Sequence, residues 1–168
     1  GKTSLAEALL CQAGSIGAVG SLERGSTVSD FDPMERRAQH SLNASVLHLA
    51  HRGARVHLID TPGYADFIGQ SMTALEAVDT AAIVINAATG IEAMSARMME
   101  WAAGRRLCRM VIVNKIDAAG VDLAALVETI QAAFGKECLP LNLPAAGGTE
   151  VVDCFFNPSG AADFSSVE

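Results

Sequence analysis

Met110-Val111-Ile112-Val113-Asn114-Lys115-Ile116-Asp117 runs four apolar residues straight into a polar turn. A short, continuous apolar run rich in β-branched residues predicts a strand buried on both faces, and Ala81-Ala82-Ile83-Val84-Ile85-Asn86 repeats the pattern upstream. Between them a helix is expected over 92–103, with Met94, Met98, Trp101 and Ala102 on one side. Downstream, Leu123, Leu126, Val127, Ile130, Ala133 and Phe134 recur at helical spacing, with Asp122 placed to cap and Gly135 to stop. Strands alternating with helices predict an α/β fold, a mostly parallel sheet with helices on both faces.

Upstream, residues 45–60 read as a hairpin about Arg52-Gly53. That register sets Leu47 opposite Leu58 and Leu49 opposite Val56 on one face, and Val46 opposite Ile59 and His48 opposite His57 on the other. A glycine-containing loop over 61–69 and a helix over 70–77 follow. The chain opens with Gly1-Lys2-Thr3-Ser4 running into an Ala- and Leu-rich helix that stops near Gly14. Periodicity is absent over 15–43, which predicts a mobile functional loop. Residues 138–143 read as a sixth strand, and residues 145–168 as Gly-rich turns around one strand over 151–156. Residues 1–144 are therefore expected to form one domain, and 145–168 the start of an inserted or appended segment.

With 168 residues, half of them hydrophobic, and 18% charged, the chain can bury one domain core; it is too apolar for disorder and too interrupted for a membrane span. A net charge of −7 argues against direct nucleic-acid binding by bulk phosphate neutralisation. Cys11, Cys108, Cys138 and Cys154 form no CxxC pair, so reduced, buried thiols in a cytoplasm are expected. No signal peptide is expected, the sequence opens at Gly1 without an initiator methionine, and residues before Gly1 and after Glu168 are expected. His48 and His57 lack a third ligand and read as a solvated cross-strand pair. Arg105, Arg106 and Arg109 read as a solvated helix end, with ribosomal RNA as the sharper alternative. Met98-Met99 beside Trp101 reads as core.

Three segments carry chemistry. Gly1-Lys2-Thr3 matches the closing half of a phosphate-binding loop, GxxxxGK[ST], in which backbone N–H groups and a helix dipole hold phosphates, the lysine reaches the β and γ oxygens, and the hydroxyl binds Mg²⁺. The same tripeptide describes a plain helix start. Asp60-Thr61-Pro62-Gly63 ends a strand with a carboxylate suited to hold Mg²⁺ through water and a Gly63 amide suited to touch a γ-phosphate; alternatively it is an ordinary strand-to-loop turn. Asn114-Lys115-Ile116-Asp117 offers a carboxylate that would accept from two donors found on guanine and not on adenine, with Asn114 and Lys115 bracing the loop and covering the base, or it is a capped turn. All three occur in order at carboxyl ends of strands or at the helix that follows, where open α/β sheets bind ligands.

Together these motifs make the chain resemble the GTP-binding domain of translational GTPases, and among them elongation factor G, over nearly its whole length. Residues 25–37 are similar to the first switch segment of that family and residues 60–67, Asp-Thr-Pro-Gly-Tyr-Ala-Asp-Phe, to its second. Leu139 to Pro144 is similar to the stretch before an inserted subdomain. The family's Arg-Gly-Ile-Thr-Ile is Ala38-Gln39-His40-Ser41-Leu42 here, its histidine after the Asp-Thr-Pro-Gly motif is Tyr64, and its Ser-Ala loop touching guanine O6 is not in this chain. These departures resemble the divergent second form of elongation factor G.

The resemblance implies a P-loop fold whose first strand precedes Gly1, binding of GTP or GDP with Mg²⁺, and ribosome-stimulated hydrolysis. It assigns Gly1, Lys2, Thr3, Ser4, Asn114, Lys115 and Asp117 to the nucleotide. Thr3, Ser41 and Asp60 would serve the metal, and Lys2, Gly63 and Tyr64 catalysis. The alternative is a GTP/GDP-dependent ribosome-binding switch with little hydrolysis, while a P-loop ATPase conflicts with Asn114-Lys115-Ile116-Asp117. A cytoplasmic protein with the ribosome as partner and no membrane contact is expected.

Overall fold

The structure is a computed structural model that describes residues 1–156, 158 and 160–164. The chain divides into two compact units, Gly1–Asp79 and Thr80–Glu168.

In the first unit, α1 (Lys2–Gln12) lies on a hairpin of β1 (Ser45–His51) and β2 (Ala54–Asp60). The pairing is that expected, with Leu47 opposite Leu58, Leu49 opposite Val56 and His48 opposite His57. Arg52 and Gly53 both take positive φ (49° and 82°), the combination a tight turn needs to match strand twist. Leu47 and Leu49 pack with Ala6 and Leu10 of α1 into a small core that Ala13, Ile16 and Leu58 border. His48 and His57 are exposed, their ring centroids 6.4 Å apart.

The segment between α1 and β1 departs from the expected loop by containing α2 (Pro33–Ala38). Asp32 caps it, Glu35 completes a capping box and Pro33 opens its first turn, a local signal strong enough to form a short helix without any apolar periodicity. Two buried carboxylates organise the rest. Glu7 of α1 accepts from the N–H groups of Gly20 (2.9 Å) and Val28 (2.6 Å). Glu35 accepts from those of Leu42 and Asn43, both at 2.9 Å, and from Asp32 at 3.3 Å. Beyond β2, a 3₁₀ turn (Ala65–Phe67) leads into α3 (Ile68–Leu75), which starts two residues before the expected helix.

In the second unit, β3 (Thr80–Asn86) and β4 (Cys108–Asn114) pair in parallel, joined through α4 (Ala93–Gly104), which packs on both. Burial on both faces is corrected. β3 buries Ala81, Ile83 and Ile85 and leaves Ala82 exposed, and in β4 Val111, Ile112 and Val113 are half-buried. The core methionine of α4 is Met99, with Ala102, whereas Met98 and Trp101 are half-buried and Arg97 lies over the Trp101 ring. α5 (Leu123–Phe134) has the expected ends, with the Asp122 carboxylate accepting from Ala125 N–H and Gly135 at φ 113°.

The sixth strand shifts to β5 (Asn142–Ala145), because Pro140 has no N–H for a ladder and Cys138 and Leu139 spend theirs in turns on Gly135 and Glu137. It pairs antiparallel with β6 (Glu150–Asp153), which ends early where Asp153 accepts from the N–H groups of Phe155 and Phe156. This hairpin straddles residue 144. Among the described residues, hydrogen bonding groups the strands into three two-stranded sheets, of which only β3–β4 is parallel. The parallel β3–β4 pair joined through α4 is the α/β crossover expected, whereas apolar patterning, which reports burial, does not say which neighbour each remaining strand pairs with. Cys11 and Cys138 are half-buried and Cys108 and Cys154 exposed, so the thiols are free but not core residues. No helix among the described residues is long and apolar enough to cross a membrane.

Candidate functional site

In the first unit, Gly1, Lys2, Thr3, Ser41, Gly63 and Tyr64 line one cavity of about 200 Å³ with Leu22, Gln39, His40 and Thr61. Gly1 caps α1 with no side-chain hydrogen bond, so the helix presents its first N–H groups and the positive end of its dipole there. Ser4 is exposed and does not line the cavity. Lys2 reaches across to the loop after β2, where a Cβ added at Gly63 would lie 2.8 Å from its Nζ. Glycine at 63 is therefore what lets the ammonium close on that loop.

Behind the lysine, buried oxygens form a chain. Thr3 Oγ1 donates to Asp60 Oδ2 at 2.7 Å, and Ser41 Oγ donates to Asp30 Oδ1 at 2.7 Å. Thr27 Oγ1 donates to the other Asp30 oxygen at 3.2 Å. The Thr3 and Ser41 oxygens are 3.3 Å apart. Either of these two hydroxyls could donate to the other, so Thr3, Ser41, Asp60 and Asp30 share one hydrogen-bond network. Burial pushes the Asp60 carboxyl above its ordinary value, with Asp30 adding to the rise and the Thr3 hydrogen bond and Lys2 opposing it.

Asp30, Glu7 and Glu35 are the residues sequence reasoning did not single out. Each is an acidic side chain at most 2% exposed. The Asp32-Pro33-Met34-Glu35 capping signal could have revealed Glu35; nothing local distinguishes Glu7 within a helix or Asp30 within a loop.

The second unit carries the remaining predicted residues on one turn. Asn114 ends β4, its Oδ1 accepting from Lys115 N–H at 2.8 Å, and its carbonyl accepts from Ala87 N–H. Lys115 takes φ 60°, which reverses the chain and leaves Lys115 and Asp117 exposed. Gly148, in the β5–β6 turn, packs so closely on this turn that a Cβ would lie 2.5 Å from the Ile116 carbonyl oxygen. Asp163 holds that glycine turn by accepting from Gly147 and Gly148.

A family model described as the elongation factor Tu GTP-binding domain matches residues 1–159. The chain belongs to that family. It is a P-loop α/β domain of the translational GTPase kind, and it binds guanine nucleotide. An elongation factor G-like protein of Mycobacterium tuberculosis is 40% identical over 148 residues, covering 88% of this GTP-binding domain and 21% of that protein. Elongation factor G 2 of Streptomyces coelicolor is 36% identical over 156 residues, 91% of this chain and 23% of that one. A crystal structure of a Thermus thermophilus protein superposes with a TM-score of 0.84 at 37% identity, covering 92% of this domain and 24% of that chain. The GTP-binding domain thus spans about a quarter or less of the length of these relatives.

Proposed function

We propose that the chain is the GTP-hydrolysing domain of an elongation-factor-G-like protein that acts with the ribosome in the cytoplasm. The observation that carries this reading is the convergence of Thr3, Ser41 and Asp60 oxygens beside a cavity in which Lys2 Nζ approaches Gly63. One carboxylate and two hydroxyl oxygens gathered at one place fit a hard divalent cation, which takes oxygen ligands. Thr3 and Ser41 would hold Mg²⁺ directly and Asp60 through water. Bound there, the metal supplies positive charge to the phosphates.

Gly1 and the first turn of α1, including Ser4, bind the β-phosphate through backbone N–H groups, and Lys2 neutralises the β and γ oxygens. The Gly63 amide touches the γ-phosphate, and Tyr64 faces the same space. Asp117 receives two hydrogen bonds from the guanine edge, while Asn114 and Lys115 shape its turn. Hydrolysis follows from positioning and charge, with water attacking the γ-phosphorus. We read residues 1–144 as the nucleotide-binding part and 145–168 as the opening of an inserted segment.

Calorimetry on the full-length protein tests the binding half of this reading. GDP binds and ADP does not, and Asp117→Asn narrows the difference, because adenine would leave the Asp117 carboxylate unpaired. Equal GDP and ADP affinities would overturn it. Phosphate release with and without ribosomes tests the other half. Tyr64 in place of the imidazole that the resemblance implies favours one second reading, a nucleotide switch with little hydrolysis, and that reading expects no ribosome-stimulated release.

A further inference from the structure

We propose that His40 orients the water that attacks the nucleotide and that Tyr64 is its positioning residue, an inference that rests on the GTP-hydrolysis reading. Both side chains line the cavity that contains Lys2, Thr3, Ser41 and Gly63. Their rings are in contact, centroids 4.6 Å apart and planes tilted by 50°, and the Phe67 ring lies 6.4 Å from that of His40. His40 comes from the segment after α2 and Tyr64 from the loop after β2, so two aromatic neighbours from the second loop hold an imidazole delivered by the first.

Hydrogen-bond roles separate the imidazole from Lys2, Thr3 and Ser41. An attacking water needs an acceptor, which turns its lone pair toward phosphorus. Lys2 has only donors to offer. The Thr3 and Ser41 hydroxyls are already engaged with Asp60, Asp30 and each other. His40 Nδ1 lies 3.4 Å from the Ser41 carbonyl oxygen. A carbonyl only accepts, so in this contact Nδ1 is the donor, which leaves Nε2 as the ring position turned to the cavity contents. Tyr64 is 58% exposed, whereas His40 is half-buried against the Tyr64 and Phe67 rings.

In the step, the water oxygen bonds to the γ-phosphorus while the bond from that phosphorus to the departing GDP oxygen breaks. The water proton directed at Nε2 leaves on the phosphate product, so the imidazole gains and loses no proton over the step. His40 contributes orientation, and Tyr64 contributes the wall that fixes His40.

Single-turnover GTP hydrolysis on ribosomes, with nucleotide affinity measured alongside, tests this in the full-length protein. His40→Ala lowers the rate about 100-fold and leaves affinity within about twofold, the range expected for losing one group that positions a reacting proton. His40→Gln, which keeps a hydrogen-bonding side chain, recovers part of the rate. Tyr64→Ala slows the reaction about tenfold, and Tyr64→Phe, which keeps the ring against His40, slows it less than Tyr64→Ala does. The double variant His40→Ala/Tyr64→Ala is no slower than His40→Ala, because Tyr64 acts through His40. An unchanged rate in His40→Ala, a parallel loss of affinity, or additive effects in the double variant would overturn the inference. A protein that binds GDP and GTP but releases no phosphate on ribosomes would overturn this inference and leave guanine-nucleotide binding standing. A protein that binds neither would overturn both.

Discussion

Thr3 Oγ1 and Ser41 Oγ lie 3.3 Å apart although each hydroxyl donates to a different buried carboxylate, Thr3 to Asp60 and Ser41 to Asp30. Residues separated by 38 positions are thereby brought to within hydrogen-bond distance of each other. The two carboxylates anchor the hydroxyls, and Glu35 fixes the backbone just beyond Ser41.

The first prediction follows from that geometry. Ser41→Ala removes one of the two facing oxygens and leaves Asp30 with Thr27 alone. GDP in the presence of Mg²⁺ is expected to dissociate about tenfold faster, corresponding to one lost ligand interaction of about 1.4 kcal/mol. Without Mg²⁺ the variant and the parent should release it at similar rates. Stopped-flow release of a fluorescent GDP analogue, with and without a chelator, makes the comparison; a defect equal in both conditions would remove Ser41 from the metal site.

Glu35 supplies a second prediction. Its carboxylate is 1% exposed and accepts from three backbone N–H groups, two of them next to Ser41. Glu35→Ala strands those donors, at about 1–3 kcal/mol for each that stays buried. The chain around residues 33–43 should then open locally, and limited proteolysis there should accelerate more than cleavage elsewhere in the protein. Glu35→Gln retains one acceptor oxygen and should fall between the two. Protection equal to the parent in Glu35→Ala would show that the N–H groups find other partners.

How far the sequence carries these conclusions depends on the range of the interactions involved. The β1–β2 register was legible to the residue, since a one-residue slip would turn Leu47 and Leu49 away from α1. The ends of α5 were legible as well, because Asp122 and Gly135 act locally. Glu7, Asp30 and Glu35 were not, because what defines them is burial against backbone donors and hydroxyls from other segments. Strand pairing beyond the β1–β2 hairpin was not legible for the same reason, as a strand's partner is a nonlocal fact. In the site, Gly1, Lys2, Thr3, Asp60 and Gly63 stood in recognisable motifs. Ser41 was placed by alignment to a family segment it only partly matches, and its contact with Thr3 is visible only in three dimensions.

Gly148 gives a third prediction, distant in sequence from the motif it affects. At φ +81°, it sits with its backbone against Ile116 and Asp117, where a Cβ would lie 2.5 Å from the Ile116 carbonyl oxygen. The obstacle is backbone, so the Asn114–Asp117 turn or the β5–β6 turn must move, and alanine is also disfavoured at positive φ. Gly148→Ala is expected to weaken GDP binding about tenfold and to reduce the preference of GDP over ADP. Gly147→Ala, at a position where a Cβ meets nothing within 4 Å, carries only the strain of φ +67° and should affect the preference far less. Calorimetric titration of both variants with GDP and ADP distinguishes them, and equal behaviour would dissociate the glycine turn from base recognition.

Asp60 provides the last prediction, in which stability and function move in opposite directions. Burial raises its carboxyl above the ordinary carboxylate value. The folded protein therefore binds this proton more readily than the unfolded chain does, and between the unfolded and folded values its contribution to stability falls as pH rises. At neutral pH the folded state holds an unfavourable charge in the absence of nucleotide and metal. Asp60→Asn keeps an oxygen able to accept from Thr3 and removes that charge, so the nucleotide-free variant should unfold at a higher temperature than the parent at pH 7. The advantage should shrink on acidification, because below both values the parent's carboxyl is neutral in either state. The same substitution should weaken Mg²⁺-dependent GDP retention, the role proposed above for that charge. Thermal melts of nucleotide-free protein from pH 4 to 8, beside GDP release in Mg²⁺, measure both. A variant less stable than the parent at pH 7 would mean that Asp60 is held in place by attractions stronger than its desolvation.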